Sequence, residues 1–353
     1  MSEKQPRGVA TVAQVAEFDA IIDARSPAEY ADDHLPGAIS CPVLSDEERA
    51  RVGTLYKQVS PFEARKLGAV LVARNIARHI EANFLDKPKT WRPLVYCWRG
   101  GQRSGAFQHI LREIGWNAHR LEGGYKNWRR AVVAALAELP ARFRFLVVSG
   151  ATGSAKSRVL EALGIEGAQI LHLEEMAAHK GSVLGNLPDE AQPSQRTFET
   201  RLFEALWRLD ASRPVFVEAE SRRIGSVHLP NALVDAIRAA PCLRIEAGLD
   251  ARVAFLMRDY AYLLDEPVRL GEQLSHLRGL QCNDTLTRWL AMVDKREFHD
   301  LVRELLEKHY DPLYQRSQTK NYADYGQAPT YATDDLSPAG ITSLARRILA
   351  ATS

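Results

Sequence analysis

PLVYCWRGGQRSG, residues 93 to 105, reads as an apolar strand running into a cysteine, then a loop with two arginines and three glycines, then the start of a helix. A thiol just after a parallel strand lies at the carboxyl edge of the sheet, where α/β folds place their ligands. Gly100, Gly101 and Gly105 let successive backbone N–H groups turn inward as an anion nest, and a helix opening near Arg103 adds the positive end of its dipole. Arg99 and Arg103 add full charges. These features together favour a thiolate at Cys97, nucleophilic near neutral pH, and would hold a persulfide or perselenide in the same way. A buried structural cysteine is the plainer reading, but apolar burial requires neither arginines nor glycines.

Outward from that loop the pattern alternates. FDAIID, residues 18 to 23, is a strand candidate; helices are expected over 45–58 and 60–84, the second with Leu67, Val70, Leu71 and Ile76 at helical spacing. Residues 103–114 read as the helix after the cysteine loop, 118–121 as another strand, and EGGYKNWRRAVVAALAEL, residues 122–139, as an amphipathic helix opened by paired glycines. Strand–helix alternation indicates an open, largely parallel sheet. The polar, proline-containing break at 139–142 sets the expected division into an α/β domain over 1–140 and a second domain over 141–353.

The second domain opens with FRFLVVSGATGSAKSRVL, residues 143–160, which resembles a phosphate-binding P-loop between a strand and a helix. Gly150, Lys156 and Ser157 fall where the turn glycine, the phosphate lysine and the Mg²⁺ hydroxyl are needed, and Thr152, Gly153 and Ser154 supply the loop between them. Ala155 stands where a second glycine is usual and resists positive φ. RPVFVEAESRR, residues 213–223, offers the companion strand ending in acid, with Glu218 and Glu220 as candidate ligands and Ser221, Arg222 and Arg223 as further phosphate contacts. The identity of any metal is not fixed by these residues. Residues 179–203 read as a long loop over the phosphate site, ending where Ser194 caps a helix packed through Phe198, Leu202 and Ala205, with Gln192 and Gln195 near its entrance. From Asp250 onward the chain reads as helices, with Val253, Leu256 and Met257 as packing.

Composition narrows the function classes. The chain has 353 residues, 46% hydrophobic and 25% charged, enough for two domains with their own cores. Lysine and arginine total 46 against 44 acids, so any polyanion site must be a local patch. Four cysteines at wide spacings form neither a disulfide framework nor a zinc site. There is no membrane-length apolar run and no secretory pattern in the first twenty residues, so a cytoplasmic setting is expected.

IIDARSPAEYADDHLPGAISCPV, residues 21–43, resembles the opening of a rhodanese domain through Asp23, Arg25, Glu29, His34, Pro36, Gly37 and Ala38. YCWRGGQRS is similar to its active-site loop and LEGGYKNW to its closing segment. The resemblance implies that Cys97 accepts a chalcogen atom, while Asp23, Arg25, Glu29 and His34 read as turn-holding scaffold. Together with residues 48–69, 179–199, VFVEAESRRIG at 215–225 and HYDPLY at 309–314, the chain resembles the tRNA 2-selenouridine synthases. That resemblance implies a rhodanese-like α/β domain, then a P-loop NTPase-like α/β domain with additional C-terminal helices. It also implies exchange of sulfur for selenium in the wobble 2-thiouridine of tRNA, with selenophosphate and geranyl diphosphate as co-substrates and no tightly bound cofactor. Geranylation of the sulfur would fall to the P-loop domain. Cys97 would carry selenium or assist departure of the geranyl thiol.

Two patches are candidates for tRNA: Lys126, Trp128, Arg129 and Arg130 with Arg142 and Arg144, and Arg316 and Lys320 with Tyr310, Tyr314, Tyr322 and Tyr325. The alternatives are an ATP-dependent tRNA sulfurtransferase and a non-catalytic module that senses anions or nucleotides.

Overall fold

Two parallel sheets organise the chain, and the apolar runs of the sequence are their strands. The computed structural model describes residues 8–314, 316, 322 and 325–352. The chain divides between Ala135 and Leu136 into two units.

The first unit runs β1 (Val9–Ala10), β2 (Ala20–Asp23), α1 (Pro27–Asp32), β3 (Ala38–Ser40), α2 (Asp46–Gln58), α3 (Pro61–Asn83), β4 (Pro93–Tyr96), α4 (Gln102–Ile114), β5 (His119–Leu121) and α5 (Gly124–Glu138). The parallel strand order is β1-β5-β4-β2-β3. Every residue of β4 is buried, as a strand covered on both faces requires. Ile22, Ile76, Phe84, Val95, Phe107 and Leu111 form the core beside it. Ser45 opens α2 with a capping box closed by Glu48, and Ser60 caps α3 ahead of Pro61. β2 is shorter than FDAIID, because Asp19 turns its carboxylate to the Arg92 N–H at 2.7 Å.

The second unit holds β6 (Phe145–Gly150), α6 (Lys156–Ile165), β7 (Gln169–Leu171), α7 (Leu173–Met176), α8 (Gln195–Arg208), β8 (Val215–Glu218), the hairpin β9 (Arg223–Ile224) and β10 (Val227–His228), α9 (Asn231–Arg238) and β11 (Cys242–Glu246). There follow α10 (Leu249–Asp259), α11 (Ala261–Leu264), α12 (Pro267–Ser275), α13 (Asn283–Asp294), α14 (Phe298–Leu305), β12 (Thr330–Ala332) and α15 (Pro338–Thr352). Its strands are parallel in the order β12-β11-β6-β8-β7, so the two strands read as carrying phosphate chemistry are neighbours. The helices α11 to α14 close a separate apolar cluster around Leu274, Leu277, Trp289 and Leu301.

The division falls a few residues before the proline-containing break at 139–142. α5 continues to Glu138, Leu136 and Leu139 are already buried, and 139–142 forms one 3₁₀ turn against α8 and α9. Among the described residues no helix is long and apolar enough to cross a membrane.

Candidate functional site

Cys97 is the first residue past β4 and is buried. The Ser104 hydroxyl donates to its Sγ at 3.3 Å, and Sγ lies 3.7 Å from the Arg99 carbonyl. Gly101, in the left-handed region at φ 75°, ends the loop and starts α4. The opening of α5 pins the loop from the other side: the Tyr125 N–H donates to the Cys97 carbonyl at 2.8 Å and the Lys126 N–H to Trp98 at 3.0 Å. Only glycine fits at position 124, where φ is 60° and a Cβ would collide with the Cys97 carbonyl oxygen.

The two loop arginines part company. Arg99 is exposed, whereas Arg103 is clamped onto Glu29 by bonds of 2.7 and 3.3 Å. Burial alone would raise the Glu29 carboxyl, but Arg103, the Ser26 N–H and Arg49 hold it at about 2. Arg103 therefore fastens α4 to α1 with its charge neutralised. The sequence reading missed Arg120, whose guanidinium packs where a side chain on Gly101 would lie. Beneath the loop, Arg25 and Asp23 form a buried ion pair at 2.6 Å, with Tyr96 donating to Asp23 and Arg25 lying 4.0 Å from the Tyr125 ring centroid. His34 stacks on Tyr30 and bonds its carbonyl at 3.0 Å. These residues hold the frame, as the sequence suggested.

In the second unit the P-loop occupies the gap between β6 and α6. Ala155 adopts the left-handed conformation at φ 61° despite its Cβ, at a cost of about 1–2 kcal/mol, and so preserves the turn a glycine would make. Lys156 Nζ donates to the carbonyls of Gly150 at 2.8 Å and Ala151 at 3.4 Å, with the Tyr314 ring 5.6 Å away. Ser157 Oγ donates to Glu174 Oε2 at 2.8 Å, and the Glu174 N–H donates to Glu218 Oε1 at 2.7 Å. His172 bridges Glu218 at 3.2 Å and Glu161 at 3.3 Å. Glu218 is fully buried and its Oε2 has no hydrogen-bond partner among the described residues. Glu220 is hydrogen-bonded to Glu174. Glu174 and His172 were not foreseen; the signal was the HLEEM run after β7, where His172 caps a short helix that opens with paired acids.

The charges in this cluster are strongly coupled. Burial would lower His172, but its bonds to Glu161 and Glu218 raise it to about 10, so it is a cation at neutral pH. Burial lowers Lys156 while the three glutamates pull the other way. Burial, then the charges of Glu174 and Glu218, push Glu220 well above the ordinary 4.5. The unfolded chain thus releases this proton near the ordinary value while the folded chain keeps it, and the contribution to stability falls as pH rises towards the folded value. Glu220→Gln, permanently neutral, removes that penalty. Its melting temperature relative to the parent is expected to climb between pH 5 and pH 9; a constant or shrinking difference would contradict the raised proton affinity of Glu220.

A cavity of about 710 Å³ opens over the loop. Thr152, Gly153, Lys156, Ser157, Glu174 and Glu220 line its polar end, and Phe255, Leu256, Tyr260, Tyr310, Leu313 and Tyr314 supply rings and aliphatic surface. At Thr152, Ser182, Leu256, Tyr260 and Tyr310 it meets a narrower apolar recess, about 50 Å³, walled by Leu263, Leu270, Leu301, Leu305 and Leu306. Leu256, read from sequence as packing alone, is part of both walls. HYDPLY supplies Tyr310 and Tyr314 to the cavity and Asp311 to a bidentate pair with Arg252 at 2.8 Å; Arg252 also donates to the Thr152 carbonyl at 3.1 Å.

The remaining candidates sit elsewhere. Ser154 is buried, Arg222 is exposed outside the cavity lining, and Ser221 lines the cavity while its hydroxyl donates to the Arg223 carbonyl. Ser194 caps α8 as expected, and Gln192 and Gln195 bond the backbone of the β9–β10 hairpin, which makes them structural. Trp128 is buried, so it is no stacking platform, and Arg129 lies 3.9 Å from the buried Asp33. Lys126, Arg130, Arg142 and Arg144 are exposed. Tyr310, Tyr314 and Tyr322 line the cavity instead of an open RNA face, Tyr325 is half-buried, and Arg316 is exposed. Lys320 lies outside the described residues. Among the described residues no group of three or more His, Cys, Asp and Glu is arranged to hold a metal.

Comparison with known proteins agrees with this layout. The family described as Rhodanese-like domain matches residues 10–131, and the family described as tRNA 2-selenouridine synthase AAA domain matches residues 143–296. A tRNA 2-selenouridine synthase of Nitrosomonas europaea is 33% identical over 79% of this chain and 73% of its own length. One of Alcanivorax borkumensis is 34% identical over 83% of this chain and 88% of its own, and one of Shewanella halifaxensis 32% identical over 84% and 87%. A cysteine loop on one parallel sheet and a P-loop on a second, matched in order along most of the chain, place this enzyme in the tRNA 2-selenouridine synthase family.

Proposed function

We propose that the chain replaces the sulfur of wobble 2-thiouridine in tRNA by selenium, in two steps divided between its units, in the cytoplasm. In the first step the thiouridine sulfur attacks C1 of geranyl diphosphate; the C–O bond breaks and diphosphate leaves with the electron pair. In the second, the selenium of selenophosphate attacks C2 of the base and the C2–S bond breaks, the geranyl thiolate leaving with the electron pair and taking up a proton; water then cleaves the P–Se bond, releasing phosphate and leaving selenium on C2, with Cys97 serving that exchange. The observation that supports the first step best is the cavity itself. Lys156, Ser157 and the loop N–H groups form a head end for a diphosphate, and Phe255, Leu256, Tyr260 and the adjoining recess form walls for a hydrocarbon tail.

The donors at the head end fit a hard divalent cation. Ser157, Glu174 and Glu220 line the cavity, the Ser157 hydroxyl donating to Glu174, and Glu218 lies buried behind them, accepting from the Glu174 N–H. Mg²⁺ held by Ser157 and Glu174 would neutralise charge growing on the leaving group. Lys156 stabilises the same charge directly. Arg252, tied to Asp311 and Thr152, keeps the loop against the helices that carry the apolar wall.

The test is to incubate the protein with thiolated tRNA, geranyl diphosphate and selenophosphate, to omit each in turn, and to identify the nucleosides by mass spectrometry. Selenouridine that requires all three, with the S-geranyl nucleoside forming when selenophosphate is withheld, supports the reading. Dependence on ATP without geranyl diphosphate would favour a sulfurtransferase instead.

A further inference from the structure

We propose that the outer face of α2 and α3 docks the tRNA substrate; this rests on the reading above that tRNA is what the enzyme modifies. Residues 49–78 of α2 and α3 have no part in either proposed step, yet cations dominate them. From Arg49 to Arg78 there are seven cations, Arg49, Arg51, Lys57, Arg65, Lys66, Arg74 and Arg78, and one acid, Glu63. The other acids of the two helices stand at their ends, Asp46, Glu47 and Glu48 in the first turn of α2 and Glu81 in the last turn of α3, so the positive excess is confined to the stretch between them. All seven are exposed. Arg49 pairs with Glu29 and Lys66 with Glu63; Arg51, Lys57, Arg65, Arg74 and Arg78 have no carboxylate partner among the described residues.

Apolar side chains are interleaved with these charges. Tyr56, Val59, Phe62 and Val70 are 53%, 68%, 65% and 58% exposed. Phe62, Lys66, Val70, Arg74 and Arg78 follow one another at four-residue spacing, which on a helix makes a single ridge about 24 Å long. Tyr56, Lys57 and Val59 stand at the turn joining the two helices. Cations free of internal partners suit a polyanion, and exposed rings beside them suit unpaired bases. The chemistry therefore fits an RNA with single-stranded loops, which is what a tRNA offers.

The experiment measures tRNA affinity of the full chain by fluorescence anisotropy between 50 and 300 mM salt. Arg51→Glu/Arg65→Glu/Arg74→Glu is expected to weaken binding at least about 10-fold and to lower the log–log salt slope by about 2 to 3. Tyr56→Ala/Phe62→Ala is expected to weaken it about 5-fold or more with the slope unchanged, because stacking releases no counterions. Melting curves and geranyl diphosphate binding, expected at parental values, show that both variants are folded. A parent protein that fails to bind tRNA would overturn the tRNA reading and this surface with it. A parent that binds while both variants bind equally well would overturn the surface alone.

Discussion

Lys156→Ala is expected to slow geranyl transfer by about 100- to 1,000-fold while leaving the fold intact, the loss typical when one preorganised charge at a developing anion is removed. Lys156 is half-buried, and its ammonium lies among Glu174, Glu218 and Glu220. Without it the head end keeps its carboxylates and loses the cation that offsets them, so a diphosphate meets net repulsion. Formation of the S-geranyl nucleoside on thiolated tRNA is the readout. A rate within threefold of the parent would remove Lys156 from the chemistry and leave the cavity without its diphosphate end.

Cys97→Ser is expected to act on the other half of the reaction. Selenouridine formation should fall by about 1,000-fold or more, with the S-geranyl nucleoside accumulating, since a hydroxyl is a far poorer nucleophile than a thiol at neutral pH. Serine is close to isosteric, Ser104 can still donate to it, and the backbone bonds from Tyr125 and Lys126 do not involve the side chain. The melting temperature should therefore stay within a few degrees. Nucleoside analysis after a fixed incubation measures both products at once, and parental selenouridine levels would contradict the role given to Cys97.

The cysteine loop, the P-loop and the strand ending at Glu218 were legible because each couples a strand end to glycines or charges within ten or so residues. Ser194 as a cap was legible for the same local reason. What sequence did not show was pairing across distance. Arg103 reads as a charge for the sulfur until Glu29, 74 positions away, is seen to claim it. Glu174 and His172 gain meaning only when β7 and β8 lie side by side. Leu256 and the tyrosines of HYDPLY look like packing or surface until α10 and the segment after α14 wall the cavity. Ala155 shows the limit of residue preference: the surrounding loop imposes a left-handed conformation that its side chain disfavours.

The division of labour between the two units is tested most directly by bypassing the first step. tRNA already carrying the S-geranyl nucleoside is given, with selenophosphate, to Lys156→Ala and to Cys97→Ser, and selenouridine is quantified. Lys156→Ala should convert it at close to the parental rate and Cys97→Ser should not. Conversion by Cys97→Ser, or failure of Lys156→Ala on this pre-geranylated tRNA, would contradict the assignment of one step to each unit.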